Sequence, residues 1–313
     1  MTGVVGVDLG KTSCRVAVHD EDGLRLVESA GAPGLASTDG VERAVAAVLA
    51  GLRALATGEP GSGTLSALQA VGVGAAGALA DPRAADRLAT ELAADCGAPV
   101  AVTSDATVAH AGAFSGRAGT LVAVGTGTAL VELDAAGRLR TLDGWGPWLG
   151  DDGSGSWLGR AGLRAVLRAH EGRGASTALT ERARSWGGEP ETLPGLVAAS
   201  DAPARTLASF APHVLAAAHG GDVVARELVA DAVRAVVDTC AHANPPYALA
   251  GGLASAEPYA SALRDALGPE HVVVPGPAPP GEPGLEPALR GALLLAADPT
   301  TPYERTVSRR DPV

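Results

Sequence analysis

The chain has 313 residues, 46% of them apolar and 3% aromatic, with a formal net charge of −11. That apolar share supports one large core or two of ordinary size and excludes disorder, while an acidic balance without a basic stripe argues against nucleic-acid binding. Asp8 and Lys11 interrupt the first apolar stretch, so neither a signal peptide nor a membrane span is expected.

The first stretch, "VGVDLGKTSCRVAVHD", reads as a hairpin. Val4–Val7 and Arg15–Val18 are β-branched runs, and "DLGKTS" between them carries turn residues. A third strand, Gly23–Ala30, follows the turn "HDEDG". The stretch "TDGVERAVAAVLAGLRALAT" has helical spacing at Val41, Val45, Val48, Leu49 and Leu52, with Thr38 or Asp39 available as a cap. "TGEPGSGT" is a surface loop, "LQAVGVGAAGAL" a buried strand, and "PRAADRLATELAADCG" a second helix. "PVAVTSDA" is a strand ending at Asp105. "GTLVAVGTGTALVELDAAGRLRTLDG" then repeats the opening plan about 120 residues later: strand, Gly/Thr turn, strand, polar turn, strand. Cys14, Cys96 and Cys240 stand far apart with no metal-ligand spacing. Free thiols in a reducing cytoplasm are the expectation.

The two Gly/Thr turns suggest a chemistry. A turn rich in Gly and Ser/Thr can direct several backbone N–H groups at one point, which suits phosphate. Asp8 at the first turn stands within reach of a metal riding on such phosphates, and Lys11 adds a mobile cation. Neither turn is a P-loop or a dinucleotide fingerprint, because each is followed by a strand. Asp105 is the only acid in "VAVTSDATVA". It suits a general base, or a cap for the helix beginning there, and one residue can do both. Asp151 follows an apolar turn and suits a hydrogen-bond acceptor, whereas Asp152 reads as a solvated turn acid. Trp145, Trp148 and Trp157 suit either stacking on a ligand or packing in the core. The scattered histidines read as surface or packing residues.

The segments "VDLGKTS", "TSDATVAHAG", "VAVGTGTAL", "GWGPWLGDDGSGSWLG", "AHGGDVVARELV" and "YALAGGLASAEPY" stand in the order and spacing of sugar kinases with an actin-like fold. The chain resembles their N-acetylglucosamine kinase branch, with the actinobacterial glucosamine kinases and, more distantly, the benzoyl-CoA reductase activator-type ATPases. The resemblance runs over residues 4–298. It implies an α/β architecture of two actin-like (ribonuclease H-like) domains, with mixed sheets flanked by helices and an interdomain cleft. The domains would cover about 1–110 and 111–285, with a helix near 286–298 returning onto the first.

The resemblance also implies roles. Gly10, Lys11 and Thr12 would form one phosphate loop, and Gly125, Thr126, Gly127 and Thr128 the other. Gly251 and Gly252 would lie against adenosine, with Ala218 and Asp222 in a segment flanking the nucleotide. Asp105 would be the catalytic base, and Gly144, Trp145, Gly146 and Asp151 would bind sugar. Mg²⁺ would arrive with ATP near Asp8 and Asp105. Two asparagines that such kinases offer to an acetamido group are missing. Ser37 and Thr38 are the nearest polar residues in "GAPGLASTDG", and Ala129 fills the other place. The expected activity is therefore ATP-dependent phosphorylation of the glucosamine 6-hydroxyl. N-acetylglucosamine is the alternative substrate, and another hexose ranks below it. An activator ATPase would need cysteines paired for an iron–sulfur cluster, and a sugar-sensing regulator would need a lost base or a fused DNA-binding segment; neither is expected here. Relatives of this kind often pair, which makes a homodimer one expectation. The proline-rich "VVVPGPAPPGEPGLEPA" has no readable role.

Overall fold

A computed structural model describes residues 3–20, 23–56, 68–273 and 285–312. The expected loop "TGEPGSGT", the tip of the "HDEDG" turn and most of the proline-rich segment lie outside the described residues. In chain order the elements are β1 (Gly3–Leu9), β2 (Ser13–Asp20), β3 (Gly23–Ala30), α1 (Gly40–Ala56), β4 (Leu68–Ala75), α2 (Pro82–Cys96), β5 (Val100–Thr103) and α3 (Asp105–Phe114). There follow β6 (Gly119–Val124), β7 (Thr128–Leu133), β8 (Leu139–Asp143), α4 (Gly155–His170), α5 (Leu179–Gly187), α6 (Leu193–Ala198), α7 (Pro203–Ala208), α8 (Ala211–His219) and α9 (Val223–Cys240). The remainder is β9 (Tyr247–Ala250), α10 (Tyr259–Leu267), β10 (Val272–Val273), α11 (Pro287–Ala297) and β11 (Ser308–Arg310).

Two compact units emerge. The first comprises the described residues within Met1–Ala118, Leu133–Leu139 and Pro275–Val313, and the second those within Gly119–Glu132 and Arg140–Val274. The chain leaves the first unit after Ala118, and α3 packs chiefly against α11, with β4 beside it.

The first unit holds a six-stranded sheet in the order β11-β5-β4-β1-β2-β3. Strands β1, β4 and β5 run parallel, while β2, β3 and β11 pair antiparallel with their neighbours. β1 and β4 are apolar nearly throughout because both sheet faces are covered, by α1 and α2 on one and by α3 and α11 on the other. β3, at the edge, alternates half-buried with exposed residues. Helix α2 starts where the Asp81 carboxylate accepts the Ala84 N–H, with Pro82 next, and ends at left-handed Gly97. Helix α11 lies unusually close to its neighbours. A Cβ on Gly112 would fall 1.8 Å from the Pro287 carbonyl oxygen, and one on Gly291 would fall 1.7 Å from that of Val108.

The second unit repeats the plan. Its sheet runs β10-β9-β6-β7-β8, with β9 parallel to both β6 and β10. β6-β7-β8 stand as β1-β2-β3 do, so the duplication read from two similar hairpins extends to both sheets. The stretch 155–246, where the sequence alone points to no particular element, holds six helices, α4–α9. Val122, Val124 and Leu130 of the sheet share one buried cluster with Leu158, Phe210, Val214, Val233 and Tyr259. Among the described residues, no helix is long and apolar enough to cross a membrane.

Candidate functional site

In the first unit, the turn between β1 and β2 is closed by Gly10 N–H donating to the Ser13 carbonyl at 2.9 Å. The segment before α1 lies along it: Gly31 N–H donates to Thr12 O at 3.1 Å and Ala32 N–H to Gly10 O at 3.2 Å. Only glycine fits at 31, where a Cβ would stand 2.3 Å from the Gly10 oxygen. Lys11 and Thr12 are exposed at the tip, and Ser37 and Thr38 are exposed in the turn leading to α1. The structure thus joins the first Gly/Thr turn to the loop that carries Ser37 and Thr38.

Asp8 ends β1 as a largely buried carboxylate, 2.6 Å from Arg15, which also pairs with Glu286. Burial raises the Asp8 pKa above the usual carboxylate value, Arg15 opposes the rise, and Asp105 and Glu286 add to it by repulsion. Asp105 occupies the first turn of α3. It is not the cap: Ser104 is, its Oγ accepting the Thr107 N–H at 3.0 Å. Asp105 is solvent-exposed at the start of the helix. Desolvation lifts its pKa, while the Ala106 N–H, Lys11 and its own N–H pull it back. The first unit therefore brings Asp8, Lys11 and Asp105 within electrostatic reach of one another. Among the described residues, no three His, Cys, Asp or Glu side chains form a metal cage.

In the second unit, the β6–β7 turn is closed by Gly125 N–H donating to Gly127 O at 2.9 Å. Helix α4 is tied to it, with Gly155 N–H donating to Gly125 O at 2.8 Å and Ser156 N–H to Thr126 O at 3.0 Å. The Thr128 hydroxyl is buried with no hydrogen-bond partner among the described residues, an unmet donor of the kind that a ligand satisfies. Gly251, at φ +94°, packs so tightly that a Cβ would lie 2.5 Å from the Val124 carbonyl oxygen. The turn and Gly252 open onto a slot of ≈ 420 Å³ walled by Ala208, Ala211, Pro212, Leu215, Leu253 and Ala256. Ala218 and Asp222 are not among its lining residues. Ala218 is buried on α8. The Asp222 carboxylate caps α9 through Ala225 N–H at 2.8 Å and accepts Ala178 N–H at 2.7 Å and the Thr177 hydroxyl at 3.0 Å. Burial opposes its ionisation, yet these donors hold its pKa below the usual value. The segment's contribution to the slot comes instead from Ala211, Pro212 and Leu215, earlier on α8.

The segment expected to bind sugar begins where β8 ends. Asp143, at φ +59°, accepts the Asp151 N–H on Oδ1 and the Asp152 N–H on Oδ2, both at 2.8 Å. Asp151 is itself left-handed at φ +56° and buried. Its carboxylate rests against the second Gly/Thr turn: a Cβ on Gly127 would be 2.6 Å from its Oδ2. Asp151 and Gly127, quoted from separate motifs, are neighbours. Asp152 is exposed, as a turn acid. Gly144 and Gly146 are left-handed at +79° and +85°, which explains glycine there. Trp145 and Trp148 are 76% and 66% exposed, so the core reading fails for both, whereas Trp157 packs against the buried cluster. Asp143 is the site residue missed from sequence. An acid after a strand reads as an ordinary turn residue, and no local signal shows a carboxylate reaching amides eight residues on.

The remaining polar groups are structural. Cys14, Cys96 and Cys240 are buried free thiols pushed up by desolvation to about 11, 11 and 12, and hence inert. Buried His110 shares a 2.8 Å hydrogen bond with Tyr303, and His213 stacks on Phe210.

Comparison with known proteins adds the following. A profile of the BadF/BadG/BcrA/BcrD ATPase family matches residues 5–296. The fold is similar to that of a candidate N-acetylglucosamine kinase from Chromobacterium violaceum, with TM-score 0.77, 28% identity, and coverage of 94% of this chain and 99% of that one. A second candidate N-acetylglucosamine kinase, from Porphyromonas gingivalis, gives 0.69 at 18% identity, covering 94% and 97%. A ROK family glucokinase from Streptomyces griseus, solved with glucose and AMPPNP, gives 0.50 at 21%, covering 94% and 99%. A comparison with curated proteins found no match.

Proposed function

The chain belongs to the BadF/BadG/BcrA/BcrD ATPase family, and from that premise we propose that it is an ATP-dependent sugar kinase, transferring a phosphoryl group to the 6-hydroxyl of a hexosamine. The observation that carries this reading is Asp105. It is an accessible yet desolvated carboxyl that the fold does not use as a cap, and it is influenced electrostatically by Lys11 of a Gly/Thr turn. Phosphoryl transfer needs such a group to accept the hydroxyl proton, with donors to hold and neutralise the phosphates. The N–H groups of the two turns and the Lys11 ammonium are suited to the second task. The apolar slot beside Gly252 suits a nucleoside base.

Magnesium is part of the proposal. It is bound in such reactions by one or two carboxylates together with nucleotide phosphates. Asp8 and Asp105 fit that modest demand. The ion would neutralise phosphate charge.

We assign glucosamine as the preferred sugar. Position 129 meets the sugar segment, since a Cβ on Gly144 would lie 3.2 Å from the Ala129 methyl. A methyl there offers no amide partner to an acetyl group, while the buried Asp151 carboxylate favours a cationic amine. N-acetylglucosamine is the second reading, favoured by the resemblance to the Chromobacterium violaceum protein. A coupled ADP-release assay against glucosamine, N-acetylglucosamine, glucose and mannose decides. Glucosamine should lead N-acetylglucosamine by about tenfold or more in kcat/KM, the discrimination expected of one unmet polar contact. Equal or better turnover of N-acetylglucosamine makes the second reading the right one.

A further inference from the structure

Two adjacent facts about the second unit ask for one explanation. Asp143 and Asp151, neither of them glycine, both hold left-handed backbone angles, a conformation that L side chains adopt rarely and at a cost. And the Asp143 carboxylate is divided between two amides, Oδ1 taking the N–H of Asp151 and Oδ2 that of Asp152, each at 2.8 Å.

We propose that Asp143 is a positioning residue, whose carboxylate closes the base of loop 144–150 and fixes the backbone from which Asp151 presents its carboxylate to the Gly127 turn. The inference rests on the proposed function in one respect, that Asp151 is a sugar ligand; the clamp itself is read from geometry.

The surroundings leave the clamp little slack. Within the loop, Gly150 N–H donates to Gly146 O at 2.9 Å, and Arg160 donates to Pro147 O at 2.7 Å. Beyond it, Ser154 N–H donates to Asp151 O at 3.1 Å, and the Tyr259 hydroxyl donates to Gly153 O at 2.9 Å. Position 150 is glycine for the same reason: a Cβ there would strike Asp143 Oδ1 at 2.3 Å. Asp151 is thus held from both sides, by Ser154 on its carbonyl and by Asp143 on its amide. Removing the second hold frees the Asp151 torsions without touching its carboxylate. The two carboxylates are not interchangeable. Each oxygen of Asp143 accepts one backbone N–H, which fixes orientation; Asp151 faces the turn.

The discriminating variant is Asp143→Gly. Glycine accepts φ +59° without strain, so the backbone path survives and only the two acceptors are lost. The expected result is a tenfold or greater rise in KM for the amino sugar with kcat reduced less than threefold. Affinity for a fluorescent ATP analogue should stay within twofold of wild type, since the base slot and both Gly/Thr turns are intact. Asp143→Asn keeps one acceptor and should fall between the two. A variant whose sugar KM is unchanged overturns the proposal, and so does one whose nucleotide and sugar affinities fall in parallel, which marks a merely structural role. Hydrogen exchange at the Asp151 and Asp152 amides reads the clamp without any substrate. Faster exchange in Asp143→Gly supports it, and unchanged protection overturns it. A wild-type chain that phosphorylates none of the four sugars defeats the proposed function instead, and the exchange result still decides on the clamp.

Discussion

Replacing Gly127 with alanine tests whether the second Gly/Thr turn and the sugar segment form one site. Gly127 does not hold a left-handed angle, so alanine meets no backbone strain there and the effect is steric. The new methyl would stand 2.6 Å from Asp151 Oδ2 and 2.9 Å from its Cγ, where ordinary contact begins at 3.4 Å. The carboxylate must therefore give way by about 0.8 Å. The Asp151 backbone cannot absorb that shift, being hydrogen-bonded at its N–H to Asp143 and at its carbonyl to Ser154. Overpacking of this kind costs about 1–3 kcal/mol, a fall of a few degrees in Tm. A displacement near 1 Å in a positioned group costs on the order of 100-fold in rate. In the coupled ADP-release assay, Gly127→Ala should lose about 10- to 100-fold in kcat/KM for glucosamine. The Tm penalty should vanish when Asp151 is also alanine, because the clashing partner is gone. Wild-type efficiency in Gly127→Ala, or an undiminished Tm penalty beside Asp151→Ala, would refute the reasoning.

Further outcomes follow from the structure. Asp105→Asn should lower kcat by at least about 100-fold, the low end for loss of a general base, with nucleotide affinity retained on titration of a fluorescent analogue. Because the folded pKa of Asp105 is raised, the acid limb of the wild-type kcat profile should lie above the ordinary carboxylate range. A raised pKa favours the folded state only below the unfolded value and is lost as pH rises through the folded one, so ionised Asp105 costs stability at neutral pH; Asp105→Asn should melt no lower than wild type there. Gly291→Ala would drive a methyl to 1.7 Å from the Val108 carbonyl. It should destabilise the first unit by more than about 3 kcal/mol, read as a lower Tm or loss of folded protein on circular dichroism. The slot is walled by Ala, Pro and Leu side chains, which grip a base without reading its edge, so GTP should support turnover within about tenfold of ATP; a preference for ATP above a hundredfold would show that backbone groups read the base.

How far the sequence reached depended on how local each signal was. The opening hairpin, its twin at β6–β7 and helix α1 were legible because strand runs, Gly/Thr turns and helical spacing lie within a few residues. β11 was not: "SRR" has no apolar signature, and it is a strand only because its backbone pairs with β5. For Asp105 the sequence left a base and a cap open, and the observed start of α3 gives the cap to Ser104. Asp151 was found by its motif, whereas its contact with Gly127 and its hold by Asp143 arise from chain that folds back on itself. For Asp222 the motif carries no trace of the capping role in which its carboxylate accepts from Thr177, Ala178 and Ala225. Trp145 and Trp148 are exposed in loop 144–150 while Trp157 sits on α4 against the buried cluster, and composition carries no trace of that difference.

The central claim is that this chain moves phosphate from ATP to a sugar through Asp105. The most direct test is ADP formation by the wild-type chain at saturating ATP and magnesium, with and without glucosamine, and Asp105→Asn run beside it. The account predicts ADP release that rises at least tenfold on adding the sugar, with glucosamine 6-phosphate formed in equal amount and the Asp105→Asn trace near its blank. ADP release that is the same with and without every sugar tried, or an Asp105→Asn chain that keeps more than a tenth of the activity, would contradict it.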